Sequence, residues 1–536
     1  MSGPDKLNIS HLEDNGIIDS AAAVATDDEH SLIFREACKR YPKAVFWAIA
    51  ISLTIVMEGY DTILIGNLFA YPSFKEKYGT YYPDLDQYVV SGAWQAGLGN
   101  AASCGAIIGL IINGYMTERF GHRIVIMVGL LVMSGLIFIT AFAPSIQVLC
   151  VGQVLVGIPW GIFSIMGSAY ASEVCPLALR GYLLSFVNIC WVLGQLIAAG
   201  ILQGLVNNTT KWSYRIPFLV QLSWPLPLFI LAWAAPDSPW WLVRKHRLGD
   251  AERSLQRLTS NMPPEKIQSM LAMMVHTNNF EKAVQAESSY KDCFRGTNLR
   301  RTEVACMILS AQTLCGEAFS YQPTYFFTQA GLKPAESYKL NFGGMGVAFV
   351  GTCVSWILMT YFGRRKILIT GIGLLVIDLL IIGCLSFTPQ GRWAQAAFAI
   401  LWLGIYSSCL GPESFTVAAE ISATRLRAQT ISIARNAYNV ANIVDNAIEP
   451  YLINPTEAGL KGKTAFVWFG VAVLVFTWAV FRLPETKNLT YEELDVLFEK
   501  RTPAWKFTAK NLNAVMESQK IQGLNDKEDG TELQKV

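Results

Sequence analysis

The chain contains about twelve apolar segments, each long enough to cross the hydrocarbon layer of a bilayer as a helix of roughly 20 residues. They begin near Ala44, Val90, Arg123, Gln147, Tyr182, Arg215, Val304, Asn341, Lys366, Trp393, Thr430 and Thr464. Of the 536 residues, 52% are hydrophobic and only 16% are charged, a balance unlike that of a water-soluble protein. The pattern predicts an all-α membrane protein whose surroundings are the lipid bilayer.

One long polar stretch divides these segments into six and six. The sequence therefore predicts an N-terminal tail at 1–43, a six-helix bundle at 44–235, a linker with short helices at 236–303, a second bundle at 304–484 and a C-terminal tail at 485–536. Basic residues cluster in alternate loops, around Arg119, Arg244, Arg364 and Arg425. Because basic loops stay on the cytosolic side, we expect the linker and both termini to be cytosolic.

The two halves share an internal repeat. The string GYMTERFGHR (114–123) is similar to MTYFGRRK (359–366), which places Gly121 and Gly363 at equivalent positions 242 residues apart. The PDS at 236–238 recurs as PET at 484–486, at an offset of 248. Nearly constant offsets indicate duplication of a six-helix unit, as in transporters whose halves are related by an axis along the membrane normal.

Charged residues repeat with this unit. Glu173 and Arg180 recur 247 positions later as Glu420 and Arg427. Carboxylates and guanidinium groups at these helix ends could latch the halves together on the cytosolic side and separate during transport. The predicted latch comprises Glu118, Arg119, Arg123, Glu173, Arg180, Arg364, Arg365, Glu420 and Arg427. The alternative is that the basic residues serve topology alone.

Six strings together resemble the signatures of the sugar porter family of the major facilitator superfamily. They are GYMTERFGHR, SEVCPLALRG (172–181), PDSPWWL (236–242), YFGRRK (361–366), AEISATRLR (419–427) and LPETKNLT (483–490). Within that family, MEGYDTILIGNLFAYPSF (57–74) and ARNAYN (434–439) are similar to the fungal maltose and general α-glucoside permeases, which are proton symporters. The resemblance implies twelve transmembrane helices in two pseudo-symmetric bundles, a plasma-membrane location and a sugar as substrate.

Glu58 and Asp61 lie inside the first apolar segment, where an ionised carboxylate is costly unless it is paired or hydrated. Burial favours the neutral acid and water favours the anion, so such a group can take up and release a proton as access alternates. Asp61 is the preferred proton-coupling residue, followed by Glu58, and Arg435 is a candidate partner for either. The alternative is a carboxylate that a neighbouring helix merely holds in place.

One position departs from the α-glucoside permeases. These carry a further acidic residue in the second helix, where this chain has Ala106. Glu317 and Glu413, in the second half, are intramembrane acids at places where sugar porters tend to be neutral. Either could supply a different coupling site or bind a hydroxyl or cationic group of the ligand.

A sugar requires amide and carboxylate hydrogen-bond partners together with aromatic faces near the middle of the membrane. The candidates are Asn188, Gln195, Gln312, Glu317, Tyr321, Glu413, Phe415, Tyr438 and Asn439. The resemblance matches Gln312 to one of the paired glutamines that contact sugar, and Asn188 to an amide position of the fifth helix. Each of these side chains could instead serve helix packing.

Other classes of function find little support. Gly462-Lys463-Thr464 lacks the upstream glycine of a phosphate-binding loop, and no zinc or flavin motif occurs, so we expect no enzyme, cofactor or metal. A net charge of +2 argues against a nucleic-acid partner. Asn207 and Asn208 begin overlapping glycosylation sequons in a loop expected outside the cell, although such sequons also occur by chance.

The sequence thus predicts a gradient-driven sugar importer that couples maltose-like substrates to protons by alternating access. Three alternatives remain: an uncoupled sugar or polyol facilitator, favoured by Ala106; a carrier of a sugar-like or glycosylated metabolite on the same scaffold; and a sugar sensor, disfavoured by the short C-terminal tail.

Overall fold

The computed structural model describes residues 34–507 except 84–85, 209, 261, 287–289, 318–322, 330, 389–390, 424–425, 488, 490–493 and 495–496. Tyr321 therefore lies outside the described residues, as do the side chains of Arg180 and Arg427. What is described is almost entirely helical.

The helices of the first sequence half are α1 (Phe34–Arg40), α2 (Pro42–Ser52), α3 (Thr54–Leu68), α4 (Pro72–Tyr78), α5 (Gly92–Phe120), α6 (His122–Ala141), α7 (Ile146–Val174), α8 (Leu177–Leu205), α9 (Trp212–Val220) and α10 (Pro225–Ala234). Between α4 and α5 lies an antiparallel hairpin of β1 (Thr80–Tyr82) and β2 (Gln87–Val89), in which Tyr81 pairs with Tyr88. The linker forms α11 (Pro239–Arg244), α12 (Leu248–Leu258) and α13 (Pro264–Ala286).

The remaining helices are α14 (Gly296–Leu314), α15 (Pro323–Gln329), α16 (Pro334–Tyr361), α17 (Arg364–Leu385), α18 (Arg392–Ile405), α19 (Gly411–Ile421), α20 (Arg427–Ile453) and α21 (Thr464–Arg482). Between α18 and α19 the chain forms a π-helical turn, Tyr406–Leu410. Short 3₁₀ turns occur at Gln221–Ser223, Tyr290–Phe294, Lys461–Lys463 and Ala504–Lys506.

All twelve expected segments are helical. Ten described segments are long and apolar enough to cross a membrane. The other two correspond to α14 and α20, which carry more charged and amide side chains. Helices α14 and α16 begin several residues before the apolar runs do, because their first turns are polar and escape detection by hydropathy. Helix α8 also begins earlier than expected, at Leu177.

The chain forms two compact units. The first contains Met1–Glu287 with Tyr321–Phe349 and Asn446–Gly459, and the second contains Ser288–Ser320, Val350–Asp445 and Leu460–Val536. Two stretches of the second sequence half therefore belong to the first unit. The core of the first unit includes the fully buried Met133, Phe163 and Ala171, from α6 and α7.

Asn67, at the end of α3, joins one of these added stretches to the first unit. Its side chain is fully buried, and its Oδ1 accepts hydrogen bonds from Thr324 Oγ1 at 2.6 Å and from Asn341 Nδ2 at 3.4 Å. Its backbone carbonyl accepts from the hydroxyl of Tyr338. A single buried amide thus holds α15 and α16 against α3.

We expect Asn67→Ala to lower the free energy of unfolding of the purified protein by about 1–3 kcal/mol, because Thr324 and Asn341 lose a buried acceptor. Thr324→Val, which removes one donor and keeps the volume, serves as the matched control and should cost less. Thermal unfolding in detergent measures both. Equal stability of Asn67→Ala and the wild type would remove this amide from the packing of α3 against α15.

Candidate functional site

Asp61 lies in the middle of α3 and its side chain is 5% exposed. Its Oδ2 accepts a hydrogen bond from Trp160 Nε1 of α7 at 2.9 Å, and its Oδ1 accepts one from Gln221 Nε2 at 2.6 Å. Because both oxygens accept from N–H donors, the arrangement suits the ionised carboxylate. The first unit therefore holds a buried carboxyl group that two neutral N–H donors contact, without a cation in direct contact among the described residues.

A helix interruption and a close contact between two helices position the groups around Asp61. Pro225 has no N–H to donate to the carbonyl of Gln221, so the helix is interrupted there and Gln221 occupies a 3₁₀ turn between α9 and α10. On the other side of α3, Gly59 lies so close to α8 that an added Cβ would meet the Trp191 carbonyl oxygen at 2.1 Å. Close packing of this backbone fixes the depth and rotation of Asp61.

The other members of the predicted coupling set are Glu58 and Arg435. Glu58 is half-buried on the same helix. Arg435 belongs to the second unit, where its guanidinium lies 5.4 Å from the ring centre of Phe415 and 4.7 Å from that of Tyr438. The hydrogen bonds of Asp61 thus come from Trp160 and Gln221, neither of which the sequence predicted, and the pairing with Arg435 stays a prediction.

A polar cluster in the second unit contains two of the predicted sugar-binding residues. The Tyr406 hydroxyl donates to Glu317 Oε1 at 3.2 Å and lies 3.5 Å from Gln312 Oε1. Gln312 is 4% exposed, and its Nε2 has no hydrogen-bond acceptor among the described residues. A buried amide N–H without an acceptor is a site at which a ligand hydroxyl can bind.

The π-helical turn positions Tyr406. Pro412 cannot donate to the carbonyl of Ser408, and the chain widens into the turn just before it. The ring of Tyr406 stacks on Trp402 at 5.1 Å with an interplanar angle of 12°. Sequence reasoning missed Tyr406, although the Gly411-Pro412 pair marks the irregularity.

The remaining predicted sugar contacts are spread over both units. Phe415 is exposed, Tyr438 is buried and Asn439 is half-buried in the second unit, whereas Asn188 and Gln195 are half-buried on α8 of the first. Glu413 is fully buried, and neither of its carboxylate oxygens has a hydrogen-bond donor among the described residues. Asn207 and Asn208, which follow α8 and begin the predicted sequons, are exposed, and their glycosylation stays a prediction.

Asp378, on α17, is a buried acid that sequence reasoning did not single out. Its side chain is 3% exposed, and neither oxygen has a hydrogen-bond donor in the described part of the chain. Burial of a polar group without a partner is destabilising.

We therefore expect Asp378→Leu to raise the free energy of unfolding by about 1–2 kcal/mol, measured by thermal unfolding in detergent. Asp378→Asn is the control and should bring no such gain; a destabilised Leu variant would show that the carboxyl group is stabilising.

Three of the predicted latch residues, Glu173, Arg364 and Glu420, lie in charged clusters, one in each unit. In the first unit, Glu173 accepts from Arg244 Nη2 at 2.7 Å and from the hydroxyl of Ser238, with His122 Nδ1 at 3.7 Å. In the second, Arg364 Nη2 donates to Glu420 Oε1 at 3.2 Å, and the hydroxyl of Thr486 donates to the other oxygen. Each glutamate is thus held by a basic side chain and by a hydroxyl from the repeated PDS or PET string.

The other latch residues make local contacts. Arg365 donates to the carbonyls of Leu483 and Val480, each at 2.8 Å. Arg119 donates to the Tyr115 hydroxyl at 3.0 Å, and the Glu118 carbonyl accepts from Trp241 Nε1 at 2.9 Å. Arg123 is half-buried. The PDS and PET strings were recognised as repeats, but their part in these clusters was not.

Comparison with known proteins identifies the chain. The family model described as "Sugar (and other) transporter" matches residues 47–498. The chain belongs to this sugar transporter family. A general alpha-glucoside permease of Saccharomyces cerevisiae is 36% identical to this sugar transporter over 493 residues, which are 90% of this chain and 80% of the relative. A maltose permease of the same yeast is 36% identical over 518 residues, covering 94% and 84% of the two chains.

Solved structures agree on the fold of this sugar transporter. The xylose transporter XylE from E. coli, in a partially occluded inward-open conformation, superimposes with a TM-score of 0.68 at 19% identity, covering 84% of this chain and all of that chain. A crystal structure of the D-xylose-proton symporter gives a TM-score of 0.63 at 19% identity, with 84% and 100% covered. The predicted major facilitator fold and the prediction of a multi-pass membrane transporter rather than an enzyme are confirmed.

Proposed function

We propose that this sugar transporter imports an α-glucoside such as maltose together with a proton, by alternating access. The observation that carries the proposal is the Asp61 carboxylate, buried within a membrane-spanning bundle and held by neutral N–H donors. An acid in such a place can change its charge when access changes from one side to the other. The names of the relatives support the substrate class, and the proton symporter among the similar folds supports the coupling.

The substrate would bind through the polar groups of the second unit. Gln312 offers a buried N–H that has no acceptor within the described residues, and Phe415 offers an exposed aromatic ring on which the C–H face of a sugar can lie. The half-buried amide of Asn439 in the same unit would supply a further hydrogen bond. Asn188 and Gln195, on the first unit, stay predicted sugar contacts. We place the transporter in the plasma membrane, with the linker, both termini and the clusters around Glu173 and Glu420 on the cytosolic side.

The test is uptake by cells that lack their own sugar transporters and express this chain. Addition of maltose to a weakly buffered suspension should raise the pH of the medium as protons enter with the sugar. Uptake of sugar without any change in pH would establish facilitation, the alternative that Ala106 favours. Failure to take up maltose, trehalose or glucose would contradict the proposed substrate class.

A further inference from the structure

The two charged clusters are built from equivalent residues of the repeat but differ at one position. Gly121, Glu173 and Ser238 correspond to Gly363, Glu420 and Thr486. The residue that follows this glycine is Arg364 in the second unit and His122 in the first. A guanidinium is always charged, whereas an imidazole changes charge near neutral pH.

The surroundings of His122 are those of a group that can bind a proton. Its side chain is 4% exposed, and Nδ1 lies 3.7 Å from Glu173 Oε2 with no hydrogen-bond acceptor among the described residues. At this distance the neutral ring gains little from the carboxylate, whereas a protonated ring forms an ion pair with it. The position follows from Gly121, whose φ of +84° turns the chain sharply between α5 and α6.

The charged groups facing His122 come from several elements. Glu173 at the end of α7 and Asp237 before α11 are acidic, and Arg244 at the end of α11 is basic. The ring of Tyr170, on α7, lies 6.3 Å away. In the second unit, the residue equivalent to Asp237 is Glu485, which accepts from the backbone N–H of Arg364 at 2.8 Å. Thus two acids surround each of these equivalent basic positions.

We propose that His122 is a proton-binding site that makes the cluster of the first unit sensitive to cytosolic pH, while Arg364 keeps its counterpart insensitive. Protonation adds a positive charge between Glu173 and Asp237 and stabilises the cluster. Loss of that proton leaves Glu173, among the described residues, held by Arg244 and Ser238. The effect on transport rests on the proposed function and orientation, whereas the binding of the proton does not.

The proton site is tested first, without transport. The chain has 5 histidines, so NMR of the purified protein with isotope-labelled histidine can follow each imidazole, and His122→Gln identifies the signal of His122. Burial disfavours the charged ring, whereas Glu173 and Asp237 favour it, so we expect this signal to titrate on the acid side of a free histidine, within the range from about pH 4.5 to pH 8. A signal that stays in one protonation state across this range would overturn the proposal.

The consequence for transport is tested by maltose exchange in proteoliposomes at equal pH on both sides. His122→Arg carries the charge of the protonated form at every pH, and His122→Gln never carries it. Wild-type exchange should approach that of His122→Arg at the acidic end of the range, match that of His122→Gln near pH 8, and differ from the other variant about fivefold at each end, as ~1 kcal/mol would give.

All three proteins contain Asp61, so the ratios of their exchange rates are free of the pH dependence that Asp61 contributes. Ratios that stay constant across the pH range would overturn the regulatory role of His122. If no protein exchanges maltose, the proposed substrate is wrong, and the NMR titration still decides the proton site.

Discussion

We expect Asp61→Asn to abolish uphill accumulation of sugar and to leave sugar exchange intact. The accumulation ratio should fall to about one, the value at equilibrium, because an amide cannot carry a proton across the membrane. Exchange does not require a net change of charge at Asp61. Uptake against a gradient in energised cells, and counterflow in de-energised cells, measure the two activities separately.

The geometry explains why the Asn variant should still fold. Trp160 remains a donor to the Oδ1 of an asparagine, and the side chain of Gln221 can rotate its amide to accept from Nδ2 in place of donating. The protonated form of Asp61 requires the same rotation. The variant therefore imitates the protonated wild type, and Gln221 is the side chain that must respond to each change of charge.

Asp378→Asn is the matched control for Asp61→Asn. It also removes a buried intramembrane carboxyl group, but one that no described donor contacts. We expect it to accumulate sugar as the wild type does. If Asp61→Asn still accumulates sugar, Asp61 is not the coupling residue. If both variants lose accumulation, coupling is not specific to Asp61.

The second large effect is expected at Gln312. Its Nε2 is buried without an acceptor among the described residues. In the proposed site this group donates to the sugar, and Gln312→Ala removes that hydrogen bond. We expect the KM for maltose to rise about tenfold to hundredfold, the effect of losing about 1–3 kcal/mol at a polar contact. Initial rates of uptake over a range of maltose concentrations measure the change.

Gln395→Ala provides the control for this substitution. Gln395 is also a buried amide of the second unit, but its Nε2 donates to the Ile382 carbonyl at 3.2 Å and thereby ties α18 to α17. Its loss should lower stability and leave the KM unchanged. A normal KM in Gln312→Ala, or an equal rise in both variants, would contradict a direct contact between Gln312 and the sugar.

The fold could be read from the sequence because the bilayer permits so few solutions. A helix must satisfy its own backbone in lipid, so apolar length, loop charge and the repeat sufficed to predict the helical class and the number of segments. The grouping of Tyr321–Phe349 and Asn446–Gly459 with the first unit could not be predicted in this way. It depends on single polar contacts, such as those of Asn67, that leave no periodic signal in the sequence.

The candidate site was only partly predictable. Asp61 and Gln312 were found because a charge or an amide in an apolar run is conspicuous. Their neighbours Trp160, Gln221 and Tyr406 were missed, since two are placed by breaks in the helix and the third is an aromatic residue among many. Asp378 shows that a charge in an apolar run does not by itself mark a polar site, because neither of its oxygens has a hydrogen-bond partner among the described residues.

The most direct test of proton-coupled sugar entry uses the purified chain in proteoliposomes, with equal maltose on both sides and an imposed pH gradient that is alkaline inside. We expect maltose to accumulate transiently above its external concentration, and a protonophore to abolish the accumulation. Internal maltose that never exceeds the external concentration, in vesicles that still exchange labelled maltose, would contradict the account.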